Sequence, residues 1–209
     1  IRVLLPILSL AVVSVCVAQR SWRSRRGDSL DDYGRHGVPQ WDVNEKFKSD
    51  IFTFVRVKYS SMGGYRRGGG GWRVDYPDSD LNFSYRLQEL TSLEVNPDGL
   101  VLDATDPRLF DYPFLYMIEP GEINLSDAEA SALRKWLLNG GFLMVDDFWG
   151  DWELAGFIEG WRKIFPEARY LPKELPITHE IFHTVFDLKE KPQVPAMELA
   201  IMGRERGIT

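Results

Sequence analysis

Two adjacent carboxylates, Asp146 and Asp147, close an apolar run, Phe142-Leu143-Met144-Val145, and are followed by Phe148-Trp149-Gly150. A carboxylate can exchange a proton or accept hydrogen bonds from hydroxyls, and an indole can stack on a ring. Successive residues of a strand point to opposite faces, so only one of the two aspartates reaches a given cleft unless the strand has ended by Asp146. Acid and base work by a pair therefore needs a second group from another loop, such as Asp75, Asp78, Glu119 or His179. Tyr76 adds an aromatic face, as do Trp72 and Trp152, so the same surroundings suit a small polar ligand such as a carbohydrate. The candidate ligand-binding set is thus Asp75, Tyr76, Asp78, Glu119, Asp146, Asp147, Trp149 and His179.

Other motifs fit chemistry less well. His179-Glu180-Ile181-Phe182-His183 has the H-E-x-x-H spacing of a zinc protease, which needs a helix to bring both imidazoles to one face. Pro172 and Pro176 before it and Pro192 and Pro195 after it leave little room for one, so a loop is expected. The glycine-rich stretch from Gly63 to Gly71 lacks the Gly-Lys-Ser/Thr ending and the following helix of a phosphate loop, and reads as a loop beyond the first strand. Cys16 is the single cysteine and lies in the leading apolar run, so no disulfide, cysteine-ligated zinc or cysteine nucleophile is expected beyond it. No metal and no cofactor is assigned.

The elements that must position these residues are readable from period and punctuation. Ile51 to Tyr59 reads as a first strand, with Val55, Val57 and Tyr59 alternating against Arg56 and Lys58. A helix follows, capped by Asp78 or Ser79, with Phe83, Leu87 and Leu90 on its inner face. Leu93 to Val95 or Leu100 to Leu102 supplies the second strand. Phe114 to Ile118 is an unbroken apolar run, as in a strand covered on both faces. Ser126 and Glu129 form a capping box, Leu133, Trp136 and Leu137 share one helix face, and Asn139-Gly140-Gly141 ends that helix. The strand Phe142 to Val145 then delivers the aspartates. Asp151 is expected to cap a helix bearing Leu154, Phe157, Ile158, Trp161 and Phe165, and Arg169 to Leu171 to form a short strand. Strand, helix and strand in this order give an α/β fold with a mostly parallel sheet, whose ligands sit at the C-terminal ends of the strands.

Length and charge set the wider frame. The chain has 209 residues, 25 basic and 31 acidic, with a net charge of -6. That argues against a phosphate-binding surface for nucleic acid, which needs clustered positive charge. Val3 to Val17 is an apolar run too short to span a bilayer comfortably, and it ends at Cys16-Val17-Ala18-Gln19, with small residues three and one positions before Gln19, the pattern of a cleavage site. Residues 1–18 are therefore expected to be a signal peptide, 19–50 a polar linker, and 51–209 one α/β domain that is incomplete at its C-terminus. Export to the periplasm or cell envelope follows, with membrane contact only through an uncleaved signal and with envelope proteins as partners.

The order of motifs resembles a known family. A strand, a Gly-rich loop, Asp75-Tyr76-Pro77-Asp78-Ser79-Asp80-Leu81-Asn82, a helix with Arg86-Leu87-Gln88-Glu89-Leu90-Thr91, Phe110-Asp111-Tyr112-Pro113-Phe114-Leu115-Tyr116-Met117 and Gly140-Gly141-Phe142-Leu143-Met144-Val145-Asp146-Asp147-Phe148-Trp149-Gly150 follow one another. This is similar to the bacterial domain-of-unknown-function family 4159 over about Phe52 to Pro195, a family usually found in secreted or envelope proteins. The resemblance implies a class I glutamine amidotransferase-like fold, related to the ThuA-like proteins: a flavodoxin-like three-layer sandwich. It does not imply glutaminase activity, since Asp146 or Asp147 stands where an amidotransferase has its cysteine. Three functions compete: binding of a small polar ligand, a hydrolase using carboxylates with or without a metal, and a scaffold module of an envelope assembly.

Overall fold

The computed structural model describes residues 34–44, 46, 50–61, 71–147 and 150–191. The expected signal peptide, the Gly-rich loop up to Gly70, Trp149 and the C-terminal residues lie outside them. The chain divides into two units, Ile1–Trp41 and Asp42–Thr209. In the first, Arg35 turns the chain locally, donating from Nε to the Val38 carbonyl and from Nη2 to that of Pro39.

The second unit is built on a sheet of four parallel strands: β1 Val55–Lys58, β2 Leu100–Asp103, β3 Phe114–Ile118 and β4 Phe142–Asp146, in the order β2-β1-β3-β4. The helices are α1 Asp78–Leu90, α2 Asp127–Leu138 and α3 Gly150–Ile164. Parallel strands need crossovers, and these run outward in opposite directions from β1 and β3. Right-handed crossovers then place their helices on opposite faces. One core lies on the α2 and α3 side, where Val55, Val57, Leu115 and Met117 meet Leu133, Trp136 and Ile164. The other lies on the α1 side, where Phe54, Phe114, Tyr116 and Ile118 meet Phe83. The result is the α/β sandwich expected, with the strand order of the flavodoxin-like arrangement and its switch point between β1 and β3.

The β3-α2-β4 unit forms as its sequence dictates. All of β3 is buried. The Ser126 side chain accepts from the Glu129 amide while the Glu129 carboxylate accepts from the Ser126 amide, a complete capping box. Gly140, at φ +96, takes the left-handed turn after α2, and Gly141 leaves room for the Trp136 indole.

Elsewhere the tertiary environment overrides the local reading. Residues 55–58 alone form strand, Val95 makes only an isolated bridge to Phe52, and Leu100–Asp103 is the second strand. Helix α1 has Pro77 at its N-cap position and no side-chain cap, so neither Asp78 nor Ser79 caps it. Phe83 packs against the core as expected, but the fully covered residues of the helix are Asp80, Leu81 and Ser84 and Leu90 is exposed, because Asp80 is drawn inward by a charge described below. Asp151 lies within the first turn of α3 instead of capping it, since the helix begins at Gly150. Ala168–Tyr170 is a 3-10 turn and not a strand, its Tyr170 ring packed 4.5 Å from that of Phe165 and its carbonyl bonded by the Trp161 indole.

Candidate functional site

In a parallel sheet every strand ends at one edge, so β1, β3 and β4 deliver Lys58, Glu119 and Asp146 to the same side of the molecule. The centre of that edge holds a charge. Arg56, in the middle of β1, is fully buried. A central strand of a covered sheet offers no solvent, so this guanidinium needs partners for all its N–H groups. It has them: Nε lies 3.0 and 3.1 Å from the two oxygens of Asp80, Nη2 reaches Asp80 Oδ1 and Ser79 Oγ, and Nη1 donates to the carbonyls of Trp72 and Val74. Its plane also lies 5.0 Å from the Tyr116 ring and 5.6 Å from that of Tyr76. Arg56 thus has nothing left for a ligand. It ties residues 72–80, the exit of the Gly-rich loop and the start of α1, to the middle of the sheet. Burial pushes the Asp80 carboxyl up, against the hydrogen bonds and charge of Arg56.

One strand over, the register places Tyr116 beside Arg56, and Ile118 beside Asp146. The Tyr116 hydroxyl donates to Asp146 Oδ2 at 2.9 Å. Burial and the Asp146 carboxylate both push that hydroxyl above the ordinary tyrosine range, so it stays protonated and donates at every biological pH. Asp146 itself is exposed, and its other oxygen accepts from the Asp147 amide. It presents a carboxylate oriented from beneath and open to solvent above. The chain bends immediately after it: Asp147 has φ +57 and is half-buried.

Left-handed backbone at a residue other than glycine costs about 1–2 kcal/mol. In the second unit the described positions of this kind are Asp75, Glu119 and Asp147. All are acids, and they follow β1, β3 and β4 at the same edge. Asp75 is exposed, and its carbonyl accepts from Ser79. The Glu119 amide donates to the Asp146 carbonyl, and its own carbonyl accepts from the Tyr59 hydroxyl. Gly71 is required here, because a Cβ on it would lie 2.9 Å from that of Glu119.

Of the sequence candidates, Tyr76, Glu119, Asp146 and Asp147 come to this edge with Asp75 beside them. Asp78 is the first residue of α1, its carbonyl bonded by the Asn82 side chain. His179 does not join them through any hydrogen bond described: its Nδ1 accepts from the Ile181 amide within the 3-10 turn Glu180–Phe182. That turn is the loop expected for the H-E-x-x-H segment, and His183 is bonded to Asp187 and to the Ile177 carbonyl. Among the described residues no group of His, Cys, Asp and Glu is placed to hold a metal ion. Trp72, expected at a ligand face, is 8% exposed and carries Lys58 over its ring at 5.7 Å, so it is core.

The sequence reading missed Arg56, Ser79, Asp80 and Tyr116 as parts of the site. A signal was present: a central strand buried on both faces has no polar side, so an arginine in it demands an acid, and Asp78-Ser79-Asp80 supplies one at the next helix start.

The model of the family described as Domain of unknown function (DUF4159) matches residues 53–206, and the chain belongs to that family. No curated protein matches the chain.

Proposed function

We propose that this chain binds a small polar ligand at the C-terminal edge of the sheet, over Tyr76, Tyr116 and Asp146, in an amidotransferase-like fold that lacks a cysteine nucleophile. The observation that carries the reading is Asp146: an exposed carboxylate at the end of β4, held in one orientation by a buried tyrosine hydroxyl of β3, at the C-terminal edge of the sheet where open α/β sheets take ligands. The strained acids around it support a site, since backbone strain persists where the surroundings over-determine it and gathers at functional positions. Asp146 accepts hydrogen bonds, so the ligand supplies hydroxyl, amine or amide donors. The partner of Asp146 is a hydroxyl and not a second carboxylate, which favours binding over the paired-acid hydrolysis considered from sequence.

Ligand-observed NMR against monosaccharides, amino acids and nucleosides tests this. At least one compound should bind the parent, bind Asp146→Asn at least tenfold more weakly, and leave the melting temperature of that variant near the parent's. A compound set that binds neither protein, or both equally, overturns the proposal.

We also propose export, on the run Val3 to Val17 and the Ala18-Gln19 boundary. Intact mass of the protein from an envelope fraction tests it, and a mass retaining residues 1–18 defeats cleavage.

A further inference from the structure

On the α2 and α3 side, just beyond the end of β3, the segment Gly121–Asn124 crosses α3. The two approach so closely that a Cβ on Gly156 would lie 2.1 Å from the Gly121 carbonyl oxygen, and one on Gly160 would lie 2.2 Å from Ile123 Cγ2. Beside this crossing runs a groove of about 540 Å³ lined by residues 121–124 and, on α3, by Trp152, Gly156, Glu159, Gly160 and Lys163 among others. That is the size of a small-molecule site, about 300–1,000 Å³.

Its chemistry is mixed in a particular way. Trp152 is 60% exposed and forms one wall. An isolated surface tryptophan needs no explanation, but this one stands beside polar groups that are not spent on the protein. Glu122 and Glu159 border the groove, and neither side chain has a hydrogen bond or ion pair to a described residue. Lys163 is anchored by the Leu125 carbonyl at 2.9 Å and lies 3.4 Å from Asn124 Oδ1, fixing an ammonium and a carboxamide at one end. Gly156 and Gly160 let the segment Gly121–Ile123 lie against the helix, and this crossing closes one side of the groove.

We infer that this groove, whose lining does not include Asp146, is a saccharide-binding site. The C–H face of a pyranose stacks on an indole, and its hydroxyls donate to carboxylates and accept from an ammonium and a carboxamide. An anionic ligand is disfavoured by two carboxylates against one lysine that already has a carbonyl partner. A neutral polyhydroxylated ring satisfies both sets.

The test is isothermal titration of the full chain with cello-, malto-, xylo- and chitotetraose. One of them should bind, with affinity reduced at least tenfold in Trp152→Ala and in Glu159→Gln. Both positions are exposed, so circular dichroism and melting of these variants should match the parent and separate binding from folding. Leu90→Ala, at an exposed position of α1 that lines neither this groove nor the Asp146 edge, should bind the same oligosaccharide as the parent does. Failure of all of these sugars to bind, or binding by Trp152→Ala or Glu159→Gln equal to the parent's, would each overturn the inference.

Discussion

Arg56 and Asp80 form an ion pair with both side chains sealed from solvent, the closest approach being 2.5 Å between Arg56 Nη2 and Asp80 Oδ1. The pair joins the middle of β1 to the first turn of α1 across 24 residues of chain. Its function is to fix shape: it holds the segment that leads into α1 against the sheet, and so brings Tyr76 as well as Tyr116 to the guanidinium of Arg56.

Breaking this pair from one side leaves a buried charge without its counterion. Asp80→Asn and Arg56→Met should each cost about 3–5 kcal/mol in urea unfolding, whereas Arg56→Met with Asp80→Leu should cost clearly less than the sum of the single changes. Additive costs would show that the pair does not act as a unit.

Glu129 should govern part of the acid limb of stability. Burial pushes its carboxyl up, but hydrogen bonds from the amides and hydroxyls of Ser126 and Ser60 outweigh that and hold it below the ordinary glutamate range. A carboxyl depressed in the folded state stabilises above its unfolded value, near 4.3, and loses that contribution as pH falls toward the folded value. The parent should therefore lose stability between about pH 5 and pH 3 more steeply than Glu129→Gln. Parallel slopes in urea titrations across that window would remove Glu129 from the account.

The crossing of Gly121–Asn124 over α3 admits no side chain at Gly156. In a free helix Gly→Ala gains up to about 1 kcal/mol. Here Gly156→Ala would drive a methyl into a backbone carbonyl and should instead cost more than about 3 kcal/mol, beyond ordinary overpacking. Gly160→Ala meets a side-chain methyl group that can move, and should cost less. Thermal melts of the two variants give the order directly.

Tyr116→Phe removes the hydroxyl that orients Asp146 but leaves Asp146 in water, so its stability cost should be about 1 kcal/mol. Its effect on any ligand bound through Asp146 should exceed that cost, because the carboxylate loses its fixed direction. Equal ligand affinity in Tyr116→Phe and parent would show that orientation by Tyr116 is irrelevant.

The sequence by itself determined the β3-α2-β4 unit, from the apolar run Phe114–Ile118 through the Ser126 and Glu129 cap to the strand that delivers Asp146. Each of these features is local: a capping box satisfies amides within one turn, and a fully apolar run has one kind of environment it can occupy. It also determined the edge at which a site should lie, because parallel strands share a direction. Only the tertiary structure decided the fate of Arg56, which alternation alone assigns to a solvated face. Burial of β1 between β2 and β3 removed that solvent, and the guanidinium then recruited Asp80, Ser79 and two carbonyls from a segment that local rules assign to capping. In the same way Trp72 became core and Trp152 stayed exposed, since which indole is covered depends on which segments cross above it. Such pairings are set by distance in space, and the sequence carries only the types of residue that can meet them.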